Sequence, residues 1–166
     1  MHTRVLKPKH GPTLYVRPLR HGAVRTVLGL FERLGDESRR TRFNGPKPCL
    51  SRAELRQLAS VDANHHVLVA YVEGDPQPVA IARLMREGGS AEVAFAVAVA
   101  DAYQERGIGS ALAAELIEDA RAVGITEITA LVASDNPAAL ALLRRIVNVF
   151  DISLDGPEVS IRAAIA

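Results

Sequence analysis

The chain has 166 residues, 48% of them apolar and 23% charged, with a formal net charge of +1. That length supports one domain with a core of its own, and that composition excludes a disordered or fibrous chain. The near balance of charge excludes bulk nucleic-acid binding and leaves room only for a local basic patch.

The opening MHTRVLKPKHGP is polar and basic with no apolar stretch behind it, so no signal peptide is expected. Residues 1–12 read as a flexible leader and 13–166 as the domain. LYVRPL (14–19) alternates as a strand. AVRTVLGLFERL (23–34) sets Val24, Val27, Leu28, Phe31 and Leu34 on one helical face, with Gly35 as its stop. DESRRTRFNGPKP (36–48) starts as a short basic helix and ends in a turn-rich loop. Cys49 is the single cysteine, so no intrachain disulfide forms and secretion is not suggested; it reads as a bystander. Ser51 followed by Glu54 is a capping box opening SRAELRQLA (51–59). HHVLVAYVE (65–73) and PVAIARLMRE (78–87) form a hairpin across GDPQ, and AEVAFAVAVA (91–100) is a third strand. Its apolar stretch, VAFAVAVA, is far too short to span a bilayer, so the expectation is a cytoplasmic protein without membrane contact.

The second half changes rhythm. GIGSALAAELIEDARAV (107–123) carries Ile108, Leu112, Leu116, Ala120 and Val123 at helical spacing. EITALVA (127–133) is a buried strand, so 91–133 makes a βαβ unit with parallel strands. NPAALALLRRI (136–146) is a helix with Pro137 in its first turn. FDISL and EVSIRAAI flank Asp-Gly-Pro as a closing hairpin.

Chemistry concentrates where the strand meets the helix at 107. A helix start offers unpaired amides and partial positive charge, which suit phosphate. Gly107 and Gly109 remove side chains that would hold a pyrophosphate off those amides, although glycine also serves turns merely by its dihedral freedom. No GxxxxGK[ST] occurs, and Leu112 stands where a dinucleotide loop needs its third glycine.

Gln104-Glu105-Arg106-Gly107-Ile108-Gly109 resembles the coenzyme A pyrophosphate loop, [Gln/Arg]-x-x-Gly-x-[Gly/Ala], of the GCN5-related N-acetyltransferase (GNAT) superfamily. The order of elements over roughly 14–165 agrees. The resemblance implies an α/β fold: a mixed, mostly antiparallel sheet with a central parallel βαβ unit flanked by helices. It implies acetyl-CoA as cosubstrate, held by loop residues Gln104, Glu105, Arg106, Gly107, Ile108, Gly109 and Ser110, above all by the amides of Arg106 through Ser110. It further implies that the main chain at Val97 and Val99 lines the pantetheine arm and that Asn136 contacts it. Asn136 before Pro137 is also a good N-cap, and the two roles are compatible.

Six phrases resemble the bacterial protein lysine acetyltransferases of the Pat type: YVRPL, LFERLGDESRRTRF, LSRAELRQLASVD, HVLVA, AEVAF and ADAYQERGIG. Transfer needs a neutral amine, and a free lysine has a pKa of about 10.4. Glu92 in AEVAF resembles the glutamate that accepts the proton, and partial desolvation on an apolar strand would strengthen it as a base. The other reading of Ser90-Ala91-Glu92 is an exposed strand start. Between Glu92 and Asp101 the strand is two residues longer than the family phrase, which moves Glu92 by about 6.6 Å unless a bulge absorbs the difference. Where many members carry a tyrosine to protonate the departing thiolate, this chain has Leu143. A thiol has a pKa of about 8.5, so the thiolate can leave without that acid.

Adjacent His65 and His66 point to opposite strand faces and have no partners at ligand spacing, so no metal is expected. Arg39, Arg40 and Arg42 either line an acceptor or phosphate groove or form a solvated helix face. The sequence therefore predicts an N-acetyltransferase acting on a primary amine, preferentially a protein lysine. A small-amine acetyltransferase and a catalytically impaired acyl-CoA-binding domain are the alternatives, and a homodimer is left open.

Overall fold

The run HHVLVAYV forms a strand whose residues Val67 to Ala70 are all buried, so it carries a core on each face. Leu68 and Ala70 join one core with Leu112 and Leu116, while Val67 and Val69 join the other with Val27 and Leu30. Double burial explains an unbroken apolar run where a one-sided strand would alternate. The structure, a computed structural model, describes residues 2–165. In chain order the elements are β1 (Arg4–Leu6), β2 (Leu14–Pro18), α1 (Val24–Glu32), α2 (Asp36–Phe43), α3 (Arg52–Leu58), β3 (His65–Val72), β4 (Ala80–Met85), β5 (Ala94–Val99), α4 (Ile108–Ala122), β6 (Glu127–Ala133), α5 (Pro137–Ile146), β7 (Asn148–Asp155) and β8 (Glu158–Ala164).

The sheet has eight strands in the order β1-β2-β3-β4-β5-β6-β8-β7. Every neighbouring pair is antiparallel except β5 and β6, which α4 connects as the expected βαβ unit. The apolar faces of α4 and α5 cover one side and α1 and α3 the other. Ile108, Leu112 and Leu116 of α4 are almost completely buried, each contributing roughly 2 kcal/mol. The capping box forms: Ser51 Oγ accepts from the Glu54 amide at 3.1 Å, and a Glu54 carboxylate oxygen accepts from the Ser51 amide at 2.7 Å.

Two expectations need correction. The segment read as a flexible leader over 1–12 is tied down within its described residues, because Arg4–Leu6 pairs in register with Leu14–Val16. Arg4 also reaches Glu115 at 2.7 Å and Asp119 at 2.8 Å, tying β1 to α4. A three-residue strand shows no periodicity of its own, and the acids that tie it down lie more than a hundred residues away. The strand predicted over 91–100 begins only at Ala94, which leaves Glu92 outside it. The β4–β5 register then runs without a shift from Met85↔Ala94 to Ala80↔Val99, so no bulge shortens the path.

Candidate active site

After β5 a single tight turn, Asp101–Tyr103, precedes the reversal into α4. Two left-handed residues make that reversal, Glu105 at φ 60° and Gly107 at φ 76°. Glycine adopts this conformation freely, whereas for Glu105 it costs about 1–2 kcal/mol. Such alternation turns successive amides toward one concavity, and the helix behind adds unpaired N–H groups and its dipole. Among the described residues no side chain hydrogen-bonds as a cap to the start of α4.

The two glycines do different work. A Cβ on Gly107 would meet only Pro8 Cβ, at 3.9 Å, so its left-handed φ is what demands glycine. A Cβ on Gly109 would sit 3.2 Å from Val99 Cγ2 and 3.4 Å from Leu142 Cδ1. Gly109 therefore lets α4 close on β5 and α5. Ile108 is buried, Ser110 is half-buried, and the Arg106 guanidinium lies 5.5 Å from the Tyr103 ring centroid.

Gln104 braces the loop rather than reaching out from it. Its amide donates to the Val99 carbonyl and to Ser38 Oγ, both at 3.0 Å. Asp101 accepts from Ser38 Oγ at 2.6 Å and from the Gly35 amide at 3.1 Å, so the start of α2 is pinned to the same corner. The Tyr103 hydroxyl is committed elsewhere, donating to Asp75 at 2.8 Å. A second brace comes from the β1–β2 turn. Gly11 lies so close to the loop that a Cβ there would fall 2.2 Å from the Arg106 carbonyl oxygen.

Beside the nest the sheet opens. β5 and β6 share the single register pair Ala94↔Thr129, while β6 and β8 share seven. The Thr129 amide donates to the Val93 carbonyl at 2.8 Å, and the Ala100 amide donates to the Val79 carbonyl at 2.8 Å. Alternation then aims the main-chain groups of Val97 and Val99 toward β6, into the gap. The Val99 carbonyl is met by Gln104, and Val97 remains as an open edge. Asn136 caps α5, accepting from the Ala139 amide at 3.3 Å. Leu143 is buried in the core, 2% exposed.

Glu92 departs from its expected setting. It is exposed, and Ser90 Oγ accepts from its amide at 3.0 Å. The desolvation that would strengthen it as a base is absent, because the strand starts two residues later. It stands five residues before Val97, about 17 Å along an extended chain.

The three arginines of α2 have separate roles. Arg39 donates to the Phe31 and Pro48 carbonyls and stacks on Phe31. Arg40 bridges Glu37 and, at 2.7 Å, Asp135, joining α2 to the loop after β6. Arg42 has no hydrogen bond or ion pair among the described residues. Sequence reading missed Arg83, which is 5% exposed in β4 and donates to the Leu58 carbonyl at 2.9 Å. Burial pushes its guanidinium well below the ordinary value, and the nearby Arg42 charge pushes it further. The one available signal was an arginine inside the apolar run VAIARLM. His65 and His66 contact Asp62 and Asp119 respectively, and Cys49 is exposed. Among the described residues no helix is long and apolar enough to cross a membrane.

An uncapped helix start entered through two left-handed residues, beside a strand splayed from its parallel neighbour, is the arrangement expected of an acyl-coenzyme A-using fold. The pattern of the acetyltransferase (GNAT) family matches residues 31–147, and the chain belongs to that family. It is 38% identical over 139 residues to the acetyltransferase Pat of Mycolicibacterium smegmatis, covering 82% of this chain and 41% of that protein. The fold matches the GNAT domain of S. lividans PAT with a TM-score of 0.86 at 26% identity, over 98% of this chain and 96% of that one. It also matches the cAMP-binding acyltransferase from Mycobacterium smegmatis with a TM-score of 0.69 at 29% identity, over 99% of this chain and 48% of that one. The chain thus spans less than half the length of the curated Pat protein.

Proposed function

We propose that the chain transfers an acetyl group from acetyl-CoA to a primary amine, with a protein lysine as the favoured acceptor. The open nest formed by the left-handed Glu105 and Gly107 at the uncapped start of α4 carries this reading. Its amides fit a pyrophosphate, and the unpaired edge at Val97 fits an extended amide-bearing arm. In this reading the Val97 amide polarises the thioester carbonyl while the amine attacks its carbon. The tetrahedral adduct then collapses, expelling the thiolate. Leu143 donates no proton, so the thiolate leaves as such or is protonated by water. Glu92, exposed and distant along the chain, receives the amine's proton only through water. Positioning then supplies most of the acceleration.

A second reading is favoured by the same two residues. Glu92 in solvent and Leu143 in the core suit a coenzyme-binding domain without turnover. Calorimetry with acetyl-CoA, followed by thiol release in the presence of lysine peptides and of small amines, separates the cases. Coenzyme binding with lysine-dependent release supports transfer to protein. Binding without release by any amine supports the second reading, and failure to bind removes both.

A further inference from the structure

The even-numbered residues of β5, Ala94, Ala96 and Ala98, are all half-buried. Ala98 packs with the α1 and α3 core, so these alanines form a shallow floor on the sheet face that α1, α2 and α3 cover. Small side chains alone carry no ligand, but this floor is flanked by Arg83, directly paired with Ala96 across the β4–β5 ladder. Opposed Cβ atoms in such a pair lie about 4.5–5.5 Å apart on one face. Arg83 is 5% exposed and has the Leu58 carbonyl as its hydrogen-bond partner, with no carboxylate within ion-pair distance among the described residues. Arg42, on α2, opposes the Arg83 charge and makes no ion pair among the described residues.

A buried guanidinium has lost hydration and a second like charge nearby adds repulsion, a costly arrangement without a counter-anion. The protein answers Arg4 with Glu115 and Asp119 and Arg33 with Asp75, and it leaves half-buried Arg39 to carbonyl oxygens alone. Arg83 is buried more deeply than any of these and has only a carbonyl. The site lies beside Ala96, one residue from the open Val97 edge, so an anion held here would sit a few bonds from an amine attacking there.

We propose that this face of β4 and β5 recognises an acceptor amine with a carboxylate a few bonds away, the carboxylate pairing with Arg83 and Arg42. The inference rests on the acetyltransferase reading and narrows its substrate class. Two sources share that chemistry: an acidic residue flanking a protein lysine, and the α-carboxylate of a free amino acid.

The test uses matched acceptors with the full chain and acetyl-CoA. One arm compares lysine peptides flanked by Glu or by Gln; the other compares free amino acids with their α-amides. The expected result is at least a tenfold higher kcat/KM for the acid in one arm, the magnitude of a charge-assisted hydrogen bond. Arg83→Gln and Arg42→Gln should erase that preference, chiefly through KM. Arg42 is only half-buried, so Arg42→Gln keeps the test open if Arg83→Gln fails to fold. Equal kcat/KM for acid and neutral acceptors in both arms would overturn the proposal. Calorimetry of the same pairs with CoA bound separates recognition from chemistry. Preferential binding of the acid without turnover leaves recognition standing and sinks the transfer reading, whereas equal binding sinks the recognition.

Discussion

The seat of the β1–β2 turn on the nest can be probed with one methyl group. Gly11 does not have a left-handed φ, so Gly11→Ala introduces a clash rather than a forbidden dihedral. The new Cβ would lie 2.2 Å from the Arg106 carbonyl oxygen and 3.4 Å from Pro8 Cβ. Carbon–oxygen contacts settle near 3.3 Å or beyond, so the turn or the loop must give by about 1 Å. Overpacking of that kind costs about 1–3 kcal/mol, and the stiffer unfolded chain returns about 0.4–1 kcal/mol. A net loss of about 1–2 kcal/mol lowers Tm by roughly 2–8 °C in a chain of this length. If the loop yields, one amide-to-phosphate bond is lost, and acetyl-CoA affinity falls about tenfold. Thermal unfolding and calorimetry read the two effects, with Gly88→Ala as control because nothing lies within 4 Å of its added Cβ. A Gly11→Ala protein with wild-type Tm and wild-type acetyl-CoA affinity would refute the contact.

Gly107→Glu should abolish acetyl-CoA binding in calorimetry while a folded circular-dichroism spectrum persists, because a Cβ there meets only Pro8 at 3.9 Å. Wild-type binding by that variant would show that the nest is not the phosphate site. Glu105→Gly relieves the left-handed strain at φ 60° and removes a carboxylate beside the nest, so acetyl-CoA should bind severalfold more tightly. Glu92→Gln should lower kcat about tenfold with coenzyme affinity unchanged, short of the 10²–10⁴ that a well-placed base supplies; unchanged turnover removes Glu92 from the mechanism. Asp75 is held down at about 2 by Arg33, then by the Gln77 amide and the Tyr103 hydroxyl. An unfolded Asp titrates near about 3.9, so its stabilisation is present above that pH and is lost as pH falls toward about 2. The Tm deficit of Asp75→Asn should therefore be constant from about pH 5 to 8 and shrink below about pH 4.

Local pattern was enough for much of this protein. The helix starting at Ile108, the capping box at Ser51 and Glu54, the Asn136 cap and the parallel βαβ unit each depend on residues within a few positions, or on one period repeated. The Gln104-to-Gly109 loop was legible for the same reason, its glycines falling where strand turns to helix. Glu92 was not, because its exposure depends on where β5 begins to pair with β4.

The contacts that shape the site cross the chain. Gly11 meets Arg106, Ser38 meets Asp101 and Gln104, and Arg83 is enclosed beneath α3 with Arg42 nearby. In one dimension Arg83 is an arginine in an apolar strand and Gly11 a turn residue. The sequence by itself determined most of the elements, β1 excepted, and which loop could suit phosphate, since backbone propensity and periodicity are local. Only the tertiary structure decided which charges are left without partners and which turn supports the nest, because both follow from packing between segments far apart along the chain.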